Sequence, residues 1–189
     1  MPVLLAGSIV CTAVILERIW MLRRSRIFPP RIERQLNALL GESKITDALA
    51  VCRASDAPLA RIVADGLDKL DEPKDELKEI LEASGKREIS TMETRLDLLA
   101  TLAAVGPLLG LLGTVVGMIR TFMVVGATGL GDPIRLSRGI AEALLCTAAG
   151  MIVAIPAFIF HRYFLNRIDR MALELEAFAR KVLKLSRMG

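Results

Sequence analysis

Residues 98–119 read LLATLAAVGPLLGLLGTVVGMI, and residues 139–160 read GIAEALLCTAAGMIVAIPAFIF. Each run has 22 residues, and Glu142 is the only charged residue in either of them. A bilayer core of about 30 Å is crossed by roughly 20 helical residues that rise about 1.5 Å each. The two runs therefore predict two transmembrane helices, and the rest of the chain has to be arranged around them.

The composition supports a membrane protein. The 189 residues are 53% hydrophobic and 24% charged, and the mean hydropathy is +0.47. Because soluble domains have a similar charged fraction but only about 45–50% apolar residues, the apolar excess must be concentrated in blocks. This pattern excludes a soluble enzyme domain, a disordered chain and a porin-like barrel, whose strands would alternate between polar and apolar residues.

A third apolar stretch lies at the N-terminus. Residues 1–16 are uncharged, and Glu17 and Arg18 separate them from a further apolar run up to Leu22. We predict a first transmembrane helix at 1–22 with both charges at the membrane interface. A signal peptide is the alternative, but no basic segment precedes the run and no small-residue cleavage site follows it.

The distribution of lysine and arginine predicts the orientation. Residues 23–95 carry 14 of the 25 basic residues, and residues 161–189 carry 7. The positive-inside rule then places both segments in the cytoplasm and the N-terminus outside. Since residues 23–95 also carry 14 acidic residues, their basic and acidic residues balance, and we expect no nucleic-acid partner.

The predicted fold is all-α: a polytopic membrane protein with three transmembrane helices, two of them extended into long cytoplasmic helices, and a small cytoplasmic helical region. Within that region one helix should end near Gly41, Ser43 should cap the next, and Leu59–Leu70 should form a third. From Pro73 the pattern predicts one continuous helix into the second membrane run. The predicted segments are a transmembrane helix at 1–22, a cytoplasmic segment at 23–95, a transmembrane helix at 96–125, a periplasmic loop at 126–138, a transmembrane helix at 139–163 and a cytoplasmic helix at 164–189.

Small residues form a stripe on each of the two long membrane helices. At about 100° per residue, the four glycines of the second helix fall on one face, and small residues recur similarly on the third. Such stripes let helix backbones approach closely in lipid. The predicted packing residues are Gly106, Gly110, Gly113, Gly117, Gly139, Ala143, Gly150 and Ala154.

Three polar residues in the membrane helices are candidates for an ion pathway. Glu142 is a functional candidate because an intramembrane carboxylate is costly; the alternative is an interfacial residue paired with Arg138. Thr114 and Thr147 are predicted at similar depth, where they would form a shared polar pathway or simply bond their own helix backbone. Kinks are predicted at Pro107 and Pro156, with tolerated helix-end prolines as the alternative.

The sequence contains no pattern for an enzyme or a metal site. Three cysteines cannot make a disulfide framework, and no cysteine–histidine pair has zinc-ligand spacing. No nucleophile–base pair or phosphate-binding loop is present either. We therefore predict a protein without enzymatic activity, metal or organic cofactor.

The membrane motifs resemble those of a known family. Residues 109–118 (LGLLGTVVGM), 139–150 (GIAEALLCTAAG) and 154–157 (AIPA) look like the MotA/TolQ/ExbB proton channel family, and most closely its ExbB/TolQ branch. The cytoplasmic run from Cys52 to Leu67 and the Glu17-Arg18 pair are similar to that branch as well. Where many relatives have Ala-Pro, this chain has Gly106-Pro107.

The resemblance implies a stator subunit of a proton-driven motor in the bacterial inner membrane. Such subunits form pentamers around ExbD/TolR-like single-span partners, with protons as the coupling ion and a TonB- or TolA-like effector outside. Thr114 and Thr147 would then line the pore beside a partner aspartate, and Glu142 would shape the polarity of the pathway or couple to neighbouring subunits. The alternatives are a passive scaffold subunit, or a gliding- or flagellar-type stator of the same family.

Overall fold

The computed structural model describes the backbone of residues 2–128 and 133–186 and, within them, the side chains of residues 5–126, 134 and 136–186. Every regular element in these residues is an α-helix, which confirms the predicted all-α class. The helices are α1 Pro2–Met21, α2 Arg24–Ile27, α3 Pro30–Gly41, α4 Ile45–Arg53, α5 Pro58–Leu67, α6 Lys74–Glu93, α7 Leu96–Thr128 and α8 Pro133–Leu185.

Two of the described helices contain spans that are long and apolar enough to cross a membrane. These spans are Leu96–Gly126 in α7 and Leu136–Leu185 in α8. They contain the two apolar runs that decided the fold. Helix α1 does not reach the same length over the residues whose side chains the structure describes, so its crossing of the membrane stays a prediction.

The chain divides into two compact units. The first, here the membrane unit, comprises Met1–Glu17 and Arg95–Tyr163, and the second, here the polar unit, comprises Arg18–Thr94 and Phe164–Gly189. In the membrane unit, α1 packs on α7 close enough that a methyl group on Gly7 would lie 3.6 Å from Leu102 Cδ2. Small and medium apolar residues are buried there: Cys11, Val14, Ile15, Leu99, Ala143, Ala154 and Ala157.

The polar unit has a core of large apolar side chains. Prolines at the first turns of α3 and α5 start these helices, as their fixed φ favours. The apolar faces of α3 to α6 and of the C-terminal part of α8 then meet, burying Phe28, Leu36, Leu59, Ile62, Leu77, Phe164, Ile168 and Val182. A methyl group on Gly66 would lie 2.6 Å from Leu81 Cδ2 and 3.0 Å from Val182 Cγ1, so a larger residue there would require these buried side chains to shift.

An ion pair orients α5 against α6 inside the polar unit. Glu88 is 5% exposed and accepts two hydrogen bonds from the Arg61 guanidinium, at 2.8 and 2.5 Å. This pairing raises the pKa of Arg61, since the bonded carboxylate favours the charged guanidinium. Asp65 accepts from Ser84 Oγ at 2.5 Å and from Arg87 at 2.8 Å. Both carboxylates are therefore satisfied.

The predicted continuous helix from Pro73 into the second membrane run is wrong. Helix α6 ends at Glu93 and α7 begins at Leu96. Arg95 between them has a φ of 69°, in the left-handed region that no α-helix residue adopts. Its guanidinium forms an ion pair with Glu17. The sequence shows no glycine or proline at this point, which is why the break was not predicted.

Smaller differences concern helix ends. Ser43 does not cap α4: its φ is 56°, and the N-cap is Lys44, which makes no capping bond with its side chain. Helix α5 ends at Leu67, three residues before the predicted end, and the four-residue α2 was not predicted. Helices α7 and α8 extend into the predicted loop 126–138 from both sides, and its residues 129–132 lie outside the described part of the chain.

Candidate functional site

Helices α7 and α8 cross with their backbones in direct contact. A methyl group on Gly110 would lie 3.0 Å from both the Cys146 carbonyl oxygen and the Thr147 Cα. A methyl group on Gly150 would lie 2.6 Å from the Gly106 carbonyl oxygen. Real side-chain carbons essentially never lie as close to a backbone atom as the Gly150 methyl would, and the Gly110 methyl would require the backbone of α8 to shift by a few tenths of an ångström.

The small-residue stripes meet along the whole crossing. A methyl group on Gly113 would lie 2.7 Å from Cys146 Cβ, and one on Gly117 would lie 2.9 Å from Ala143 Cβ. Gly106 faces Ala154, and Gly139 faces Thr121. The structure thus brings all eight predicted packing residues together at one interface: Gly106, Gly110, Gly113, Gly117, Gly139, Ala143, Gly150 and Ala154.

The close crossing brings Thr114 and Thr147 into contact. Their hydroxyl oxygens are 3.1 Å apart. Thr147 Oγ1 is also 3.2 Å from the Gly110 carbonyl oxygen across the interface, and Thr114 Oγ1 is 2.7 Å from the Leu111 carbonyl oxygen on its own helix. The glycine stripe is what permits this contact, because a side chain at position 110 would push Thr147 away.

The two hydroxyls can share their protons in two ways. Each hydroxyl has one proton and two lone pairs, so it donates to only one acceptor at a time. In one arrangement Thr114 donates to Thr147, which donates to the Gly110 carbonyl. In the other, Thr147 donates to Thr114, which donates to the Leu111 carbonyl. The hydrogen bond between the two hydroxyls can therefore run in either direction.

Thr114 also lines an open apolar groove on the membrane unit. The other groove residues lie along one face of α7 and are Leu111, Val115, Met118, Ile119, Phe122 and Met123. Phe122 and Met123 are 57% and 69% exposed. Contiguous exposed apolar surface of this kind contacts either lipid or another protein chain. The hydroxyl pair is therefore bordered by an exposed apolar surface.

Glu142 lies apart from the two threonines. It is exposed and lines a second groove of the membrane unit together with Arg120, Thr121 and Arg138. Among the described residues no ion pair joins Glu142 to Arg138, the partner that the interfacial alternative suggests. Of the three predicted polar residues, the structure therefore brings two into contact and places the third among basic groups.

Sequence reasoning missed the proximity of Arg120 to Glu142. The signal was present in the glycine stripes: once Gly117 is placed opposite Ala143, Arg120 falls one turn further along α7, next to residues 139–142 of α8. The pairing of the stripes could not be deduced from spacing alone, because several registers bury small residues equally well.

Pro107 and Pro156 both lie inside helices that continue beyond them. Each proline lacks an N–H and so leaves the carbonyl four residues earlier without its helical partner. Their predicted role as kinks stays a prediction.

Within the described ranges, no group of three or more histidine, cysteine, aspartate or glutamate side chains is placed to hold a metal ion.

Comparison with known proteins gives consistent matches. Residues 54–177 match the MotA/TolQ/ExbB proton channel family. A putative biopolymer transport protein ExbB homolog of Methanothermobacter thermautotrophicus is 32% identical over 155 residues, which cover 82% of this chain and 55% of that protein. The biopolymer transport protein ExbB of Neisseria meningitidis serogroup B is 30% identical over 178 residues, covering 87% of this chain and 79% of that protein.

A shorter match falls on a second type of relative. The Tol-Pal system protein TolQ of Haemophilus influenzae is 40% identical over 83 residues, which cover 44% of this chain and 36% of that protein. The chain spans little more than half the length of the first relative and about four-fifths of the Neisseria protein.

Proposed function

Because the chain belongs to the MotA/TolQ/ExbB proton channel family, in its ExbB/TolQ branch, we propose that it is the proton-channel subunit of an inner-membrane motor. In this proposal five copies surround ExbD/TolR-like single-span partners. The assembly uses the proton motive force to drive TonB- or Tol-type energy transduction, which serves transport across the outer membrane or its maintenance. The proton is the coupling ion, and no cofactor takes part.

The contact between Thr114 and Thr147 carries this proposal. Hydroxyl groups 3.1 Å apart add an interhelical hydrogen bond, which stabilises the helix pair by about 0.5–2 kcal/mol. Two aligned hydroxyls also provide a proton-conducting step that valine cannot. The reversible hydrogen bond is what a shared polar pathway requires.

Other chains are needed to complete the pathway. Two hydroxyls do not form a proton wire through about 30 Å of hydrocarbon, and three helices cannot enclose a pore. The exposed groove beside Thr114 offers a wall for a further helix. We propose that a partner helix bearing a membrane aspartate lies there, so that its carboxylate exchanges a proton with the threonine pair.

Glu142 has a different role in the proposal. It shares a groove with Arg120 and Arg138 and lies away from the hydroxyl pair. We propose that Glu142 sets the polarity at the outer mouth of the pathway and couples neighbouring subunits. With a periplasmic N-terminus and a cytoplasmic C-terminus, protons would enter on the side of Glu142 and leave on the cytoplasmic side.

The energetics require repeated proton steps. Moving one elementary charge through about 100 mV releases about 2.3 kcal/mol. A single proton therefore supplies little more than the free energy of one or two hydrogen bonds. A ring of identical subunits that visits the same partner aspartate in turn would add such steps together, which is the physical reason to expect an oligomer.

The decisive experiment separates a proton channel from a passive scaffold. The chain is co-purified with its single-span partner, reconstituted in liposomes, and proton uptake is followed with an internal pH dye under an imposed potential. Glu142→Ala and Thr147→Val should abolish uptake while native mass spectrometry still shows five copies of the chain. If both variants conducted as the original chain does, the proton pathway would have to be abandoned in favour of the scaffold. A stable monomer would contradict the pentamer.

A further inference from the structure

A run of arginines follows helix α1 in the polar unit. Residues 20–34 contain five arginines and a single acidic residue, Glu33. All five arginine side chains are exposed. We refer to residues 23–34 as the arginine segment; its arginines are Arg23, Arg24, Arg26, Arg31 and Arg34.

The backbone of the arginine segment is anchored to the core of the polar unit. Leu22, Ile27 and Phe28 are 2%, 3% and 0% exposed. The Leu22 carbonyl oxygen accepts a hydrogen bond from Arg167 Nε at 2.8 Å. Because apolar anchors alternate with arginines, the segment holds its charged side chains on the outside of a fixed backbone.

Most of these charges are not neutralised within the chain. Arg24 binds both nearby carboxylates, Glu33 at 3.1 Å and Glu174 at 2.8 Å. These bonds raise the pKa of Arg24 and occupy the only acid of the segment. The structure gives no ion pair, among the residues it describes, for the other four arginines. An excess of positive charge therefore remains on this surface.

The single tryptophan of the chain lies next to these arginines. Trp20 is 55% exposed, and the Arg26 guanidinium carbon is 3.5 Å from the centre of its ring. An exposed tryptophan is costly in water but favourable at a membrane interface, where its ring meets the headgroups. A stacked arginine adds a phosphate-binding group at the same level.

From this arrangement we infer that the arginine segment binds anionic phospholipid headgroups of the membrane leaflet in which α1 ends. The planar guanidinium matches two phosphate oxygens at once, and the negative surface potential of a cytoplasmic leaflet attracts basic segments that directly follow a membrane helix. The inference rests on the proposed function, because that proposal orients α1 so that Trp20 lies at the cytoplasmic interface of the membrane. Binding would hold the end of α1 at the level of the headgroups.

Trp20 itself is the reporter for a test, since the chain has no other tryptophan. The full chain is reconstituted in mixtures of phosphatidylglycerol and phosphatidylcholine, and one lipid at a time carries bromine, which quenches tryptophan fluorescence on contact. The ratio of the two quenching curves gives the preference of the Trp20 site for the anionic lipid. We expect a preference of at least about fivefold at physiological salt, falling in high salt.

The triple variant R23Q/R31Q/R34Q keeps Arg26 on Trp20 and should lower the preference to about one. A matched control, K74Q/K78Q/K184Q, removes the same charge from three exposed lysines. Arg18, two residues before Trp20, donates a hydrogen bond to the Met92 carbonyl oxygen at 3.1 Å, and Lys74 and Lys78 lie at least 14 residues before Met92 along α6. Lys184 lies 17 residues after Arg167, the α8 residue that bonds the Leu22 carbonyl oxygen. At about 1.5 Å per residue these separations exceed two screening lengths, so the control should keep the preference.

Two outcomes would overturn the inference: an unchanged preference in the arginine variant, or no quenching of Trp20 by either brominated lipid. Proton uptake is measured in parallel, in liposomes of the same lipid mixture that contain the chain together with its single-span partner. Lost uptake with a retained lipid preference would count against the proposed function alone, and retained uptake with no preference would count against the inference alone.

Discussion

The hydroxyl oxygens of Thr114 on α7 and Thr147 on α8 are 3.1 Å apart, although 33 residues separate them along the chain. The contact depends on Gly110, whose missing side chain lets Thr147 reach the opposite backbone at 3.2 Å. Packing and function are thus joined at one point of the fold: the glycine that allows the helices to touch also allows the hydroxyls to meet.

Substituting Gly110 tests this dependence. In Gly110→Ala the new methyl group would lie 3.0 Å from backbone atoms of Cys146 and Thr147, which cannot move aside as a flexible side chain can. We expect a loss of about 1–3 kcal/mol of stability and a parallel loss of proton uptake. Thermal unfolding in detergent measures the first, and liposome assays measure the second.

The control for this substitution lies in the same helix. A methyl group on Gly126 would meet nothing within 4 Å, so Gly126→Ala should be neutral or slightly stabilising, since alanine favours a helix over glycine. Equal destabilisation by the two variants would show that the α7–α8 contact is not the reason glycine is needed at position 110.

The break between α6 and α7 makes a prediction about Arg95. Arg95→Ala and Arg95→Gly both lose the ion pair with Glu17, but only glycine adopts a φ of 69° without strain. The alanine variant should therefore be less stable than the glycine variant by about 1 kcal/mol. The unfolding midpoints of the two proteins give this difference directly.

Glu17→Gln isolates the ion-pair contribution. The Arg95 and Glu17 side chains are 58% and 34% exposed, so solvent screens the pair and we expect a cost of at most about 1 kcal/mol. For the backbone at position 95, equal unfolding midpoints of the Arg95→Ala and Arg95→Gly variants would show that its left-handed conformation does not persist in solution.

Cys52 should be unreactive in the folded protein. Burial in the polar unit, together with the charge of Asp68, raises the pKa of its thiol from 9.0 to about 11. At pH 8 this shift of about two pH units lowers the thiolate population about 100-fold, and the thiolate is the reactive form. In the variant C11A/C146A, alkylation of Cys52 followed by mass spectrometry should be slow until the protein unfolds.

The raised pKa of Cys52 also makes the stability of the folded protein depend on pH. Because the pKa is raised on folding, the folded state keeps its proton where the unfolded state releases it. The contribution of Cys52 is therefore fully present below about pH 9 and is lost as the pH rises toward 11. Rapid alkylation of the folded protein at pH 8 would contradict a buried, neutral thiol.

The class of the fold could be predicted from the sequence because its signals are local. Uninterrupted apolar runs, prolines at the starts of α3 and α5, and helical spacing all act within one helix. The break at Arg95 could not be predicted, since no residue type marks it and a contact with Glu17, 78 residues away, accompanies it. The mistaken cap at Ser43 has a local cause: Ser43 takes the left-handed position that ends α3, where the Lys44 N–H donates to the Leu39 carbonyl oxygen at 3.0 Å.

The candidate site shows the same division between local and long-range information. The glycine stripe and the two threonines could each be recognised from helical spacing on their own helix. That Thr114 meets Thr147, and that Glu142 shares a groove with Arg120, depends on the register between α7 and α8. Small residues on both helices permit several registers, and only the three-dimensional packing selects one of them.

Proton uptake by threonine variants tests the central claim most directly. In liposomes containing the chain and its single-span partner, Thr147→Val should reduce uptake more than tenfold, whereas Thr147→Ser should retain most of it because the hydroxyl remains. Thr101→Val is the matched control. The Thr101 hydroxyl donates to the Asp97 carbonyl oxygen of its own helix, so this variant should conduct protons normally. If Thr147→Val conducted as well as Thr101→Val with the oligomer intact, the hydroxyl pair would not be part of the proton pathway.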